Sequence, residues 1–367
     1  MANLKVIISG GGTGGHIFPA IAIANAIKKI RPNTEFLFVG ALGRMEMTKV
    51  PEAGFEIVGL PIMGLQRKLT LKNLKFPFML MKSAAKARKI VKDFKPDVAI
   101  GVGGYASGPL LRAAGNANIP TLLQEQNSYA GLTNKILGKK AHKICVAYDG
   151  MEAFFPKEKI ILTGNPVRSE VIKLEGKKER ANEFFHLDSS RKTVLVVGGS
   201  LGAWSVNEAV EKSIVAWEKA GIQVIWQTGK LFHKRAQKAA IGRESWLKVT
   251  EFIKRMDLGY AAADLVVSRA GALAVSELCL VKKPSIFVPL PSAAEDHQTK
   301  NAKVLTTLGA GILITDFEVR AKLEKQVLDL INNEDDLNRL SENISPLGYN
   351  DAADIIANEA IQLVNLK

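Results

Sequence analysis

The chain of 367 residues carries 50 Lys and Arg against 36 Asp and Glu, a formal net charge of +14, with 47% hydrophobic and 23% charged residues. That mix excludes a disordered chain, and the length passes the roughly 250–300 residues at which a single core stops growing, so two domains are expected. Two cysteines, Cys145 and Cys279, are too few for a disulfide framework or a CxxC zinc site, and they suit a reducing compartment.

Taken in chain order, residues 4–9 predict a buried strand that stops in glycines, followed by a helix over 17–29. The apolar run of residues 6–8 is far short of the about 7–15 residues of a signal peptide, so a cytoplasmic chain is expected. No stretch reaches the roughly 18 apolar residues of a membrane span. Further strands are predicted at 35–39, 97–102, 120–123 and 143–147. The pattern restarts with a strand at 193–197, a glycine turn at 198–203 and a helix. Strands at 222–228, 247–250, 265–268 and 285–288 follow, and 351–366 predicts an amphipathic helix that crosses back onto the first domain. Short apolar runs alternating with helices imply an α/β fold with parallel sheets. The expected domains are 1–167 and 168–346, with 347–367 returning to the first; 164–191 reads as the link.

Gly10, Gly12 and Gly15 match G-x-G-x-x-G between a strand and a helix, where N–H groups at a helix N-terminus attract an anion. A dinucleotide site would need an acid at the end of the second strand. That strand ends Phe38-Val39-Gly40-Ala41-Leu42, so NAD is disfavoured. Further glycine turns begin at Gly101 and Gly198. Turns at the carboxyl ends of parallel strands point to a site in the crevice those ends share.

Longer motifs are more specific. The first half holds Gly11-Gly12-Thr13-Gly14-Gly15-His16-Ile17-Phe18-Pro19-Ala20, Gly103-Gly104-Tyr105-Ala106-Ser107-Gly108-Pro109 and Gln124-Glu125-Gln126-Asn127. It continues with Ala130-Gly131-Leu132-Thr133-Asn134 and Gly164-Asn165-Pro166-Val167-Arg168. The second half holds Gly198-Gly199-Ser200-Leu201-Gly202-Ala203, Ser268-Arg269-Ala270-Gly271-Ala272, Ser276-Glu277 and Asp296-His297-Gln298. In this order they resemble the lipid I N-acetylglucosaminyltransferases of glycosyltransferase family 28, bacterial enzymes of peptidoglycan synthesis. The resemblance implies the GT-B fold, two Rossmann-like domains with parallel sheets facing across a cleft. It implies inverting transfer of GlcNAc from UDP-GlcNAc to the C4 hydroxyl of lipid I, giving lipid II and UDP. It implies no cofactor or metal, a peripheral place at the cytoplasmic face of the cell membrane, and cell-wall synthesis proteins as further partners.

The resemblance also assigns roles. Ser200, Arg168 and the loop and helix Ala272, Leu273, Ala274, Val275, Ser276 and Glu277 belong to the UDP-GlcNAc site, with Ile253 meeting uracil and Gln298 the sugar. Thr13, Gly14, Gly15 and Asn127 map to the sugar end of the donor. Gly12, Gly103, Gly104, Tyr105 and Ser107 map to the acceptor diphosphate. Physically, a helix N-terminus and the Arg168 guanidinium suit a leaving diphosphate. Ser200 could serve only as a helix cap. Glu277 suits a ribose diol. Ala274 stands where the family usually has Thr, which removes a hydroxyl contact. His16 is the candidate base, kept neutral by the helix N-terminus, and Glu125 is its rival. His142, His186 and His233 read as solvent-facing, and the cysteines as buried thiols.

Residues 60–95 carry ten basic residues and one acid, Asp93, around the apolar run 76–81. That suits an interfacial anchor on an anionic membrane; a buried helix with a basic face is the plainer alternative. A nucleic-acid partner is disfavoured, because aromatics are only 7% and no RNA-binding motif occurs. The rival enzyme classes are another nucleotide-sugar transferase, such as one acting on diacylglycerol, and a sugar-nucleotide epimerase.

Overall fold

The computed structural model describes residues 3–62, 76–199 and 201–365. The chain forms two compact units: one runs through Arg168 and resumes at Asp351, and the other is Ser169–Asn350.

Among the described residues the first unit holds seven parallel strands. These are β1 Lys5–Ser9, β2 Glu35–Ala41, β3 Ile57–Leu60, β4 Val98–Gly101, β5 Thr121–Glu125, β6 Lys143–Val146 and β7 Ile160–Leu162. Their order is β3-β2-β1-β4-β5-β6-β7. Ser9 at the end of β1 lies opposite Val39 and Gly101, so β1 and β4 finish level while β2 runs on to Ala41. Alternation decides the layers. Val6 and Ile8 face the helix Gly14–Ile30 and the C-terminal helix Ala352–Asn365. Ile7 faces the helices Phe76–Phe94 and Ser107–Asn116 on the other side. Each such buried side chain contributes about 1.5–3 kcal/mol. The C-terminal helix sets Ile356, Ala357 and Ala360 into the same core as Ile17, Ile23 and Ile27.

The second unit holds β8 Thr193–Val197, β9 Gln223–Gln227, β10 Leu247–Thr250, β11 Leu265–Ser268, β12 Ser285–Phe287 and β13 Ile312–Leu313. Their order is β10-β9-β8-β11-β12-β13, again with parallel pairs throughout. Its core is built on Val194, Val196, Trp217 and Trp226.

Three details depart from expectation. The first helix starts at Gly14, not at residue 17, because the extended Thr13 already offers its carbonyl to the amides of His16 and Ile17. The expected link contains the helices Ser169–Ile172 and Lys178–Phe185, anchored by buried Val171 and Ala181. β3, β7 and β13 are short edge strands that carry too few residues for a clear alternation.

Strand order reverses direction between β1 and β4 in one sheet and between β8 and β11 in the other. Open α/β sheets bind ligands at these switch points, beyond the strands' carboxyl ends. The glycine motifs follow β1, β4 and β8, and Ser268-Arg269-Ala270-Gly271 follows β11.

Candidate functional site

In the first unit, two glycine turns meet. Gly104 has φ +87°, and a Cβ there would collide with the carbonyl oxygen of Gly11. A Cβ at Gly103 would stand 2.7 Å from Cδ2 and 2.8 Å from Nε2 of His16. The His16 ring therefore rests against bare backbone that any side chain would displace. His16 Nδ1 lies 3.0 Å from the Gly11 carbonyl. A carbonyl only accepts, so Nδ1 carries the proton and Nε2 the lone pair. Thr13 Oγ1 lies 3.4 Å from the same Nδ1.

Glu46, a residue the sequence did not single out, underlies this turn. It is 1% exposed and begins the helix Glu46–Glu52. Its Oε2 accepts the Gly12 amide at 2.8 Å and its Oε1 the Ala41 amide at 3.0 Å. A Cβ on Gly11 would overlap that carboxyl group. The Gly12 amide, expected to meet the acceptor diphosphate, is bonded to Glu46 in this structure. Ser107, expected at the same diphosphate, is likewise bonded within its own unit. Its buried hydroxyl is directed at Gly103 O at 2.8 Å and Ser9 O at 3.1 Å, and it has only one proton to give. Tyr105 in the same turn is 48% exposed.

Glu125, at the end of β5, is 2% exposed. Oε1 accepts the Asn127 backbone and side-chain N–H groups at 3.1 and 3.2 Å, and Oε2 accepts Gly131 N at 3.1 Å and Asn134 Nδ2 at 2.9 Å. Four donors hold this carboxylate as the pin of its own loop, which argues against it as the base. Gln126 ties the loop to β4 by donating to Val102 O at 2.6 Å, and Asn165 donates to Gln126 O at 3.0 Å. Arg168 follows, its guanidinium 4.7 Å from the Phe18 ring centroid. Phe18, on the helix Gly14–Ile30, is therefore a platform for that cation.

In the second unit the β8 turn packs on the β9 turn. A Cβ at Gly202 would collide with Thr228 O, and Asn207 donates to that same oxygen at 2.8 Å. Ser200 lies outside the described residues. Glu277, on the helix Ala272–Leu280, accepts the buried Tyr260 hydroxyl at 2.9 Å. That bond orients its carboxylate, and nothing in the sequence around Tyr260 flagged it. Gly271 caps this helix, placing Ala272, Leu273 and Ala274 in its first turn with Val275, Ser276 and Glu277 behind them. Gln298 Oε1 accepts the Leu290 amide at 2.9 Å, and its Nε2 lies 4.0 Å from a Cβ position at Gly271. Ile253 donates its amide to Gln227 Oε1 at 3.0 Å, leaving its carbonyl as the group that bond does not use.

Arg269 is engaged within its own unit. It donates to Val288 O at 3.0 Å, Pro289 O at 3.1 Å and Asp316 Oδ1 at 2.6 Å, knitting strand ends together. Asp257 is similarly structural, near Ile253. Two hydrogen bonds from Arg255 and one from Lys177 hold its carboxyl well below the usual range. Burial pushes the Cys279 thiol up to about 12 and raises Cys145 as well, so both are inert. His142 and His186 are exposed, whereas His233 is half-buried against Thr228 Oγ1 at 3.2 Å. Among the described residues no cluster of three His, Cys, Asp or Glu side chains could hold a metal ion.

Comparisons with known proteins agree on one family. Residues 6–146 match the Glycosyltransferase family 28 N-terminal domain and residues 193–357 the Glycosyltransferase family 28 C-terminal domain. A relative from Phocaeicola vulgatus is 54% identical over 365 residues, covering 99% of this chain and 97% of its own length. It is named UDP-N-acetylglucosamine--N-acetylmuramyl-(pentapeptide) pyrophosphoryl-undecaprenol N-acetylglucosamine transferase. A relative of the same name from Parabacteroides distasonis is 51% identical and covers 100% of both chains. The crystal structure of Acinetobacter baumannii MurG matches with a TM-score of 0.78 at 26% identity, over 98% of this chain and 100% of that one. A UDP-GlcNAc 2-epimerase from Neisseria meningitidis, bound to UDP-GlcNAc, matches at 0.66 and 14% identity over 98% and 100%, a likeness of fold alone. The fold is GT-B, two α/β domains each with a parallel sheet.

Proposed function

Because the chain belongs to glycosyltransferase family 28, we infer that it transfers GlcNAc from UDP-GlcNAc to the C4 hydroxyl of lipid I, giving lipid II and UDP. The observation that carries this reading is 54% identity across 99% of the chain to a relative bearing that activity's name.

The chemistry is a single displacement. The acceptor oxygen forms a bond to C1 of GlcNAc while the bond from C1 to the UDP oxygen breaks, and the configuration inverts from α to β. UDP leaves with the electron pair, and the acceptor's proton passes to a base. His16 suits that role, because Nδ1–H is anchored on Gly11 and Nε2 is the atom with a lone pair. Gly103, Gly104 and Tyr105 meet the acceptor diphosphate. On the donor, Glu277 takes the ribose diol, held by Tyr260, and Ile253 offers a carbonyl to uracil. The first turn of the helix Ala272–Leu280 and the Arg168 cation oppose the charge that builds on UDP. Ser200 joins them by family resemblance. Thr13, Gly14, Gly15, Asn127 and Gln298 serve the sugar. UDP release should depend on a lipid I analogue. Conversion of UDP-GlcNAc to UDP-ManNAc without acceptor would instead mark an epimerase.

A membrane surface is the second element of the reading. On the helix Phe76–Phe94, Ser83, Ala87 and Val91 face inward, while Phe78 and Met81 are 72% and 71% exposed. Lys82, Arg88, Lys89 and Lys92 are exposed on the same helix. Residues 63–75, which hold four of the ten basic residues of this stretch, lie outside the described residues. No helix among the described residues is long and apolar enough to cross a membrane. Apolar side chains among lysines fit a peripheral contact with anionic lipid, each cation adding about 1 kcal/mol. Equal binding to neutral and anionic vesicles at low salt would refute it.

A further inference from the structure

The Glu46 carboxylate and the His16 ring grip opposite ends of one peptide group. The amide between Gly11 and Gly12 donates its N–H to Glu46 Oε2 at 2.8 Å, and its C=O accepts His16 Nδ1–H at 3.0 Å. We propose that Glu46 is a positioning residue for the transfer reaction, which raises the basicity of His16 through the Gly11–Gly12 peptide.

The link is electrostatic. A trans peptide points its N–H and C=O in opposite directions, so a negative charge on the N–H side deepens the negative end at the oxygen. Hydrogen bonds in series polarise one another, the more so where water is excluded. Glu46 is 1% exposed, and both of its oxygens act as acceptors, as a carboxylate's do. His16 needs this help. It sits in the first turn of the helix Gly14–Ile30, where the helix dipole opposes imidazolium, yet a base must gain a proton as the acceptor oxygen attacks. The proton stays on Nδ1 throughout, and nothing is transferred along the peptide. A directly bonded Asp orients the base in a serine protease triad; here a peptide group intervenes.

Other charges near this helix have different attachments. On the helix Glu46–Glu52, Lys49 pairs with Glu52 at 2.6 Å. On the C-terminal helix, Glu359 faces Lys143 at 3.7 Å, and Asp354 lies in the first turn. Tyr105 stands in the β4 turn, and Arg168 lies over Phe18. The N–H of the Gly11–Gly12 peptide goes to Glu46, the carboxylate that bears directly on it.

The proposal rests on His16 as base only for its effect on rate, so two readouts separate the ideas. The first is the His16 imidazole midpoint, followed by NMR in the full chain. Glu46→Gln should lower it by about half to one pH unit. The second is the pH profile of kcat/KM with UDP-GlcNAc and a lipid I analogue, whose acid limb should move to lower pH by the same amount. An unmoved midpoint in folded Glu46→Gln overturns the proposal. A moved midpoint with an unmoved acid limb keeps the electrostatic link and removes His16 as base. Should Glu46→Gln fail to fold, Glu46→Asp carries the test. It keeps the charge but withdraws it from Gly12, so the midpoint should fall by less, and an unchanged midpoint again overturns the proposal.

Discussion

Glu125→Gln should loosen one loop rather than remove a catalytic base. The carboxylate accepts four N–H groups, two on each oxygen, at 2.9–3.2 Å and 2% exposure. Whichever oxygen becomes an amide nitrogen, two donors then face a donor. A hydrogen bond to a charged group contributes about 1.5–3 kcal/mol, so losing two costs about 3–6 kcal/mol before relaxation. Rotation of Asn127 or Asn134 can recover part, leaving about 2–4 kcal/mol. For a unit of this size that corresponds to a melting temperature lower by about 4–16 °C. The local mark is sharper: the amides of Asn127 and Gly131 should exchange with deuterium faster than those of β5 itself. The assay is therefore thermal melting and residue-resolved hydrogen exchange, beside kcat/KM and its acid limb. Loss of turnover should accompany the loosening, with the limb unmoved. An unchanged melting temperature and normal exchange, with turnover lost and the acid limb abolished, would show Glu125 to be the base and refute its role as a loop pin.

Gly104→Ala places a Cβ against Gly11 O at φ +87° and should cost about 2–4 kcal/mol in strain and displaced backbone, read by melting. Its KM for a lipid I analogue should rise more than its KM for UDP-GlcNAc. Tyr260→Phe frees the Glu277 carboxylate from a 2.9 Å bond and should raise the UDP-GlcNAc KM by about three- to tenfold with kcat nearly unchanged; an unmoved KM would detach Glu277 from the ribose. Asp257 has a depressed folded pKa, so its stabilisation is full above the usual carboxylate range, starts to shrink as pH falls below about 4 and is gone only below the folded value. Asp257→Asn should therefore lower the melting temperature at pH 7 and lower it by less at about pH 2. Phe78→Ser with Met81→Ser should weaken binding to anionic vesicles several-fold without lowering the melting temperature, since both side chains face solvent.

The strands that carry the site were the easiest to read. β1, β8 and β11 are runs of Val, Ile and Leu that end at a Ser or Gly turn, and their bounds fall within a residue of expectation. The positions of the glycine turns were legible for the same reason. What occupies the space beside a turn was not. Glu46 meets Gly12 from 34 residues away, and Ser107 meets Ser9 from 98, distances over which no local pattern runs. Ser107 stood in a glycine-rich turn and so resembled a phosphate ligand, but the first turn of its helix points the hydroxyl inward. Tyr260 sits in the apolar stretch Tyr260-Ala261-Ala262-Ala263, which signals core, and its hydroxyl finds Glu277 only once two helices pack.

The first glycine turn also changes how the net positive charge should be understood. A G-x-G-x-x-G turn is commonly an anion hole because its amides are unclaimed. Here Gly12 N–H is claimed by a buried carboxylate, which puts negative charge beneath the turn. A diphosphate approaching on that side is repelled by Glu46 and must be held by something else. The amides of Gly14 and Gly15, in the first helical turn, have no earlier helical carbonyl to bond. Tyr105 contributes an exposed side chain, and Arg168 a cation fixed on Phe18. Glycine at position 11 is then required by sterics, between Glu46 and Gly104, rather than by phosphate. The same carboxylate that weakens the turn as an anion site favours imidazolium at His16. The turn thus trades phosphate affinity for basicity, and the proposed donor diphosphate depends more on Arg168 than the motif alone would suggest. Arg168→Met should accordingly raise the UDP-GlcNAc KM more than Phe18→Leu, which leaves the cation in place but free to wander, and equal effects would show that the platform, not the charge, is what matters.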